Sequence, residues 1–348
     1  MTESHLFPTL YDVAREAGVS LATASRVLNP GSRTVAPGNR ERVLSAAKRL
    51  GYSPNLSAQA MARGTSLVVA LVVSDIADPY FATLAAGVAA QARENGLTLT
   101  ISVTDRDPDT ELSLMRELRG MRPRLLLLAG SRSLDEPYFE ELSHELNAYR
   151  AAGTGVVMVG QRAFNFPSVR PDDRGGGAAL GSALAADGFR RVAVAAGPDK
   201  LITGRERLSG LREGLASGGV ILDDALVFHS AFNRTGGVEV ASRIASLPLD
   251  TVDVLVALND LMALGALSQL RELGIPVPAR LAVAGFDDID AARDVVPALT
   301  TVHVDISAIG REAVRIGMEP AGDMVDQTFP LKVVRRASSA KPRSEAED

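Results

Sequence analysis

The sequence predicts an α/β protein: a small helical head with a helix-turn-helix and a hinge helix, then a core of two doubly wound parallel-sheet subdomains. Three observations carry this expectation. Residues 9–50 hold three short helical patterns, the first two separated only by Gly18-Val19. From residue 67 onward, short apolar β-branched runs alternate with helical patterns, and that alternation occurs twice over. A chain of 348 residues with 46% hydrophobic content also exceeds what one compact domain needs.

In the head, Thr9 can N-cap a helix whose Leu10, Val13, Ala14 and Ala17 recur at helical spacing, and Gly18 supplies a left-handed position after its end. Ser20 is a second N-cap, opening a helix over 21–29. Two helices across so short a turn make a helix-turn-helix, a unit common enough that the pattern alone does not fix a role. An arginine-rich third helix is expected over 38–50. After Gly51-Tyr52-Ser53-Pro54, Asn55 caps a weakly apolar segment, LSAQAMAR, too short to be a stable helix alone in water.

In the core, 67–74 (LVVALVVS) is a continuous apolar run of the kind buried in parallel sheets. A helix over 79–95 and a strand over 97–103 follow. Helix 110–120, strand 124–129, helix 136–151 and strand 155–160 complete a first half. The second half reads as strand 192–196, helix 205–217, strand 226–230, helix 235–246, strand 254–258, helix 260–273 and strand 281–285. Two such halves imply two similar subdomains rather than one oversized sheet.

Charge divides the chain in the same place. Residues 1–66 carry eight Lys/Arg against four Asp/Glu, net +4, whereas the remaining 29 basic and 38 acidic residues give −9. A basic head on an acidic body is compatible with nucleic-acid binding even though the whole chain is net −5. With no cysteine there is no disulfide framework, and His5, His144, His229 and His303 form no metal-ligand spacing. The first ten residues lack a charged-then-apolar signal and no apolar run reaches transmembrane length, so a soluble, cytoplasmic protein is expected, with no membrane partner. An enzyme reading would rest on Arg174-Gly175-Gly176-Gly177, but a lone glycine cluster is a weak dinucleotide signal. No P-loop, Gly-x-Ser-x-Gly or His-Glu-x-x-His motif accompanies it. No enzyme activity and no cofactor are expected.

LYDVAREAGVSLATASRVLN at 10–29 followed by RERVLSAAKRLGYSPN at 40–55 resembles the head of the lactose-repressor (LacI/GalR) family of bacterial transcription regulators, and the resemblance continues to about residue 338. It implies a periplasmic-binding-protein-like core and a ligand-responsive regulator, most simply a repressor, that binds a pseudo-palindromic operator as a homodimer. A sugar-binding protein without a DNA role shares the core fold but would lack the head. The resemblance puts Leu21, Ala22 and Arg26 in the major groove. Arg26 follows Ala22 by four residues and Leu21 by five, so the three can share one exposed face. Arginine can fork onto guanine O6 and N7, while Leu21 and Ala22 offer apolar contact to a thymine methyl. Tyr11, Ser20, Thr23, Ser25 and Asn29 suit phosphate positioning, though Thr23 and Ser25 fit equally well as solvated helix residues. Asn55 to Arg63 matches the family's hinge helix, which orders on operator DNA. Met61 stands where the family wedges a leucine into a base step; a linker helix packed on the core is the alternative.

The resemblance also implies a chain that crosses between subdomains three times. The expected division is 1–53 for the DNA-binding head, 54–66 for hinge and linker, 67–165 plus 304–322 for the first subdomain, 166–303 plus 323–336 for the second, and a disordered tail over 337–348. A helix at 307–318 would return to the first subdomain and a strand at 329–334 to the second. The tail has no leucine heptads, so a dimer is the default. An effector should sit between subdomains, outside the C-terminal ends of the strands. Asp78 can accept hydroxyl hydrogens there, and Tyr80 or Phe81 can stack on a sugar or base, although Phe81 fits the core as well. Thr203 and Arg207 match the family's ligand-gripping loop, so losing Arg207 is expected to abolish effector response and keep operator binding. Phe232, Asn259 and Asp287 follow strand ends. Asp260 reads as a helix N-cap and Asp288 as a turn residue. Gln161 stands where the family often has aspartate, a weaker partner for paired sugar hydroxyls, so a sugar-like effector is favoured.

Overall fold

The structure, a computed structural model, describes residues 8–28, 35–53, 64–130, 136–162, 164–248, 250–319 and 325–340. It divides into two compact units, Met1–Ser66 and Leu67–Asp348. Among the described residues no helix is long and apolar enough to cross a membrane.

The first unit contains α1 (Leu10–Ala17), α2 (Leu21–Leu28) and α3 (Pro37–Leu50). Thr9 caps α1 in a reciprocal capping box with Asp12, and left-handed Gly18 closes it by donating to Ala14 and Arg15. Ser20 Oγ accepts the Thr23 N–H at 3.1 Å to open α2. The three helices share one small core in which Val13, Ala14, Ala17, Ala24, Val27, Val43, Ala46 and Ala47 are buried. Alanines dominate because helices this short must approach closely to exclude water. The expected helix over 56–63 lies outside the described residues.

The second unit begins with β1 (Val68–Val73), α4 (Pro79–Glu94), β2 (Thr98–Val103), α5 (Pro108–Gly120), β3 (Leu125–Ala129), α6 (Glu136–Ala151), β4 (Gly155–Val159) and β5 (Ser168–Pro171). It continues with α7 (Asp173–Ala186), β6 (Val192–Ala196), α8 (Ile202–Ser217), β7 (Val227–His229), α9 (Arg234–Ala245), β8 (Val254–Ala257), α10 (Asp260–Glu272) and β9 (Ala282–Ala284). A short α11 (Ala291–Asp294), β10 (Thr301–His303), α12 (Ile306–Met318), β11 (Asp326–Phe329) and β12 (Lys332–Val334) complete it. Two parallel sheets result, β11-β5-β4-β3-β1-β2 and β7-β6-β8-β9, together with an antiparallel β10-β12 ribbon.

Each sheet is covered on both faces, and strand alternation decides which helix covers which. Val69, Leu71, Val73, Leu125 and Leu127 pack with Leu84 and Val88 of α4 and Ile309 and Val314 of α12. Their sequence neighbours Ala70, Val72, Leu126 and Leu128 face Leu112, Met115, Leu142 and Leu146 of α5 and α6. In the second sheet Val192, Val194, Val254 and Val256 meet α7 and α8, while Ala193, Ala195, Leu255 and Ala257 meet α9 and α10.

Four sequence expectations are corrected here. β5 and β11, assigned to the second subdomain, pair in the first sheet: Gly160 donates to Val169 O, Ser168 to Val325 O and Asp172 to Phe329 O. Arg170 and Ser168 both bind the Asp326 carboxylate, at 3.2 and 2.5 Å, which fixes this edge. The chain therefore leaves the first sheet after Pro171 and after Phe329, and the strand expected at 329–334 is two strands, one in each half. Second, α7 was not expected from the sequence. Its Gly175-Gly176-Gly177 run exists for packing: a Cβ on Gly177 would lie 2.3 Å from Arg207 O, and one on Gly210 of α8 1.9 Å from Arg174 O. Third, α8 starts at Ile202, earlier than expected. Fourth, the tail is ordered through Ala340. Ser338 and Ser339 are buried; Ser338 Oγ donates to Val283 O at 2.6 Å and accepts the Thr300 N–H at 2.8 Å. Hydroxyls that satisfy buried backbone groups override a polar composition. Residues 341–348 lie outside the described residues.

Candidate functional site

The head presents α2 outward. Ala24 and Val27 face its core, so Leu21, Ala22 and Arg26 fall on the opposite side, where all three are exposed; Leu21 is 49% exposed. Ser20 is exposed, Thr23 and Ser25 are half-buried, and Tyr11 on α1 is 65% exposed. Ser20 and Thr23 share a hydroxyl contact at 2.8 Å as well as the cap, so both already serve the helix start. Asn29, Asn55 and Met61 lie outside the described residues.

In the second unit one pocket sits at the C-terminal ends of strands from both sheets. Its empty space, counted out into the solvent at its open mouth, is about 540 Å³. Eight of the nine effector residues named from the sequence line it: Asp78, Tyr80, Phe81, Thr203, Arg207, Phe232, Asn259 and Asp287. Gln161 is not among the lining residues; β4 presents Gly160 to the pocket, and Gln161 is buried beside it.

Local structure explains each placement. Asp78 ends the loop after β1 and caps α4 by accepting the Tyr80 N–H at 3.0 Å; burial raises its pKa, against that hydrogen bond and Arg106. Phe81 is 5% exposed, belongs to the core and still lines the pocket, its ring edge-on to Tyr80 at 5.3 Å. Burial, with Asp287 and Asp173 nearby, raises the Tyr80 phenol above its ordinary value. Phe232 reaches inward because Gly197 yields the space: a Cβ there would stand 2.3 Å from its ring. Asn259 caps α10 through Met262 N–H at 2.8 Å and donates to Phe232 O at 3.2 Å, tying two pocket loops together.

Arg207 occupies the centre. Its Nε donates to Asp173 at 2.7 Å, one terminal nitrogen to Leu258 O at 2.7 Å, and the other lies 2.9 Å from Asp287. The guanidinium also covers the Phe286 ring at 3.9 Å. Burial alone would lower its pKa, but Asp173 and Asp287 hold it above its ordinary value. Conversely, burial raises both carboxyls and Arg207 opposes the rise. Asp173 is the residue the sequence reading missed. The available signal was Asp172, which caps α7 through Gly175 N–H and so puts Asp173 in the first turn.

Two neighbouring aspartates are reassigned. Asp260 is not the cap of α10, a role Asn259 takes. It is fully buried and accepts from Thr301 Oγ1 at 2.7 Å and Ile289 N–H at 2.9 Å, anchoring the loop that carries Asp287. Asp288 is not merely a turn residue: its buried carboxylate takes His303 Nδ1 at 2.8 Å and Arg336 at 2.6 Å. Burial works against its charge, yet those partners hold its pKa below the ordinary value.

Asp260 gives a pH prediction. Burial pushes it to about 7, against the hydrogen bonds from Thr301 and Ile289. Between the ordinary carboxyl range and that value only the folded chain holds the proton. Stability is thus fully present below about pH 4 and lost as pH rises through 7, by roughly 4 kcal/mol in total. Urea unfolding of Asp260→Asn should show a shallower fall in stability between pH 5 and 8 than the parent. Parallel curves would mean that Asp260 stays ionised throughout.

A head that exposes an arginine-bearing helix, on a chain whose core holds a buried polar pocket at parallel strand ends, is the build of a ligand-responsive DNA-binding regulator. Comparisons with known proteins agree. Residues 9–55 match the bacterial regulatory proteins of the lacI family, and 182–339 match the periplasmic binding protein-like domain. The transcriptional regulator CelR of Thermobifida fusca is 35% identical over 315 residues, covering 89% of this chain and 90% of the relative. A CelR–cellobiose complex superposes with a TM-score of 0.68 at 33% identity, over 95% of this chain and 99% of that one. The lac repressor dimer bound to operator and the anti-inducer ONPF superposes with 0.80 at 25% identity, over 96% and 99%. The chain belongs to the lacI family of bacterial transcriptional regulators. It is therefore a ligand-responsive DNA-binding regulator rather than an enzyme.

Proposed function

We propose that the protein is a homodimeric repressor that binds a pseudo-palindromic operator and responds to a sugar or sugar derivative in the core pocket. The observation that carries this reading is the convergence of eight sequence-chosen residues from both sheets on one pocket rich in hydroxyl-accepting carboxylates and aromatic faces. The CelR complex with cellobiose and the operator-bound lac repressor dimer support the same ligand class and assembly. Asp78 and Asp287 would accept sugar hydroxyl hydrogens, Asn259 and Thr203 would add polar contacts, and Tyr80, Phe81 and Phe232 would stack on the ring.

On DNA, Arg26 would read a guanine, Leu21 and Ala22 a thymine methyl, and Tyr11, Ser20, Thr23, Ser25 and Asn29 the phosphates. Asn55 and Met61 would act in the minor groove. Half-site centres would stand about 34–36 Å apart, one helical turn. Ligand binding would shift the dimer between poses that differ in operator affinity, a coupling of about 1–3 kcal/mol. Such a protein works in the cytoplasm, beside the nucleoid.

A thermal-shift screen of sugars including cellobiose, polyols and nucleosides tests the effector reading, since a ligand specific to the native state raises apparent stability. A sugar that shifts the melting point should also change operator affinity; silence from every sugar would remove the sugar. Arg26→Ala should cost about 1–3 kcal/mol of discrimination at one base pair per half-site. Equal weakening on all sequences, measured by binding to a panel of operators, would reassign Arg26 to the backbone.

A further inference from the structure

We propose that Asp173, by holding Arg207 in an ion cluster without net positive charge, makes the pocket select uncharged hydroxyl-rich ligands and refuse phosphorylated ones. The proposal deepens the effector reading above and rests on this pocket being the effector site.

An arginine in a pocket ordinarily invites a phosphate, because its fork matches two phosphate oxygens. Here each guanidinium nitrogen already faces a protein oxygen. Arg207 is 3% exposed, its Nε and both terminal nitrogens face Asp173, Leu258 O and Asp287, and Phe286 covers one face. One positive charge meets two carboxylates. The cluster is net negative with both ionised and neutral with one protonated. Among the other charged lining residues, Asp78 adds an acid, and Arg106 is matched by Asp75 at 3.6 Å.

Helix N-termini are the second source of anion affinity, and most of those at this pocket are closed. Asp78 takes the Tyr80 N–H of α4, Asp172 the Gly175 N–H of α7 and Asn259 the Met262 N–H of α10. Only α8 starts without a side-chain cap, and its first turn shares the pocket wall with Asp78, Asp173 and Asp287. Apart from that start, the charged groups of the wall are mostly carboxylate acceptors. Neutral hydroxyls can donate to them without bringing charge; a phosphate brings one or two negative charges against Asp78, Asp173 and Asp287 and has few hydrogens to donate.

The test uses the full-length chain at fixed ionic strength and titrates inorganic phosphate, glucose 6-phosphate and glucose by calorimetry, with urea unfolding as a fold control. The parent should show no saturable phosphate binding up to roughly 10 mM, whereas Asp173→Asn should bind phosphate at least about tenfold more tightly than the parent. Asp287→Asn, which removes the other carboxylate, should gain in the same direction and serves if Asp173→Asn folds poorly. A purely structural Asp173 would change stability and leave anion affinity alone, which overturns the proposal. Saturable phosphate binding by the parent, or a phosphorylated sugar bound more tightly than its parent sugar, also overturns it. If no neutral sugar binds while phosphate stays excluded and both variants gain it, charge selection stands and the sugar reading falls.

Discussion

Replacing Arg207 with alanine should destabilise the protein by about 3–5 kcal/mol, because it leaves Asp173 and Asp287 buried, like-charged and without their cation. The sequence alone led to a milder expectation, lost effector response with operator binding kept. That expectation treats Arg207 as a ligand contact alone, whereas in the structure each of its nitrogens also faces a protein oxygen. Urea unfolding is the direct measurement. The deficit should be larger at pH 8 than at pH 5: Arg207 opposes the rise that burial imposes on both carboxyls, so without it their pKa values climb further and the variant loses more stability than the parent as pH rises. Adding Asp173→Asn to Arg207→Ala should recover part of the loss, since it removes one of the two uncompensated charges. A deficit below about 1 kcal/mol would show that the three side chains are not coupled.

Gly210→Ala should cost more than about 3 kcal/mol, although it removes a glycine from a helix interior. Helix propensity alone favours alanine by about 1 kcal/mol. The new Cβ, however, would lie 1.9 Å from Arg174 O and 2.9 Å from Ala178 N, both backbone atoms that no rotamer change can move. Relief requires α7 and α8 to part, which opens the packing of Leu180, Leu184, Leu211 and Leu215. Gly204, in the same helix, meets nothing within 4 Å, and Gly204→Ala should be neutral or stabilising by up to about 1 kcal/mol. Thermal or urea unfolding of the pair separates the two effects. Equal responses would mean that the helix interface yields.

Much of the fold was legible because local signals and burial agree. The apolar runs at β1, β3 and β8 are covered on both faces, so their composition announces them. Thr9, Gly18 and Ser20 mark helix ends through hydrogen bonds made within a few residues. α7 was not legible, since its glycines weaken every local helix signal and make sense only against the backbone of α8. β5 and β11 were misassigned for a related reason. Four-residue strands such as SVRP and DQTF carry almost no pattern, and the edge strand β11 finds its partner β5 more than 150 residues back along the chain.

The pocket divides along the same line. Phe232, Asn259 and Asp287 follow apolar strands of one parallel sheet, whose C-terminal loops lie at one end, so sequence order brings these three within reach of each other, while Asp78 joins them from the other sheet only in the tertiary structure. The exposed face of α2 follows likewise from helical period. Tertiary structure alone decided how the charges pair. Asp173 finds Arg207, Asp288 finds Arg336, and Asp260 turns from capping its own helix to holding a loop 29 residues away. Periodicity records which side of a helix or strand is buried. It carries no information about which buried charge will face which, because that depends on distances fixed only when the layers close.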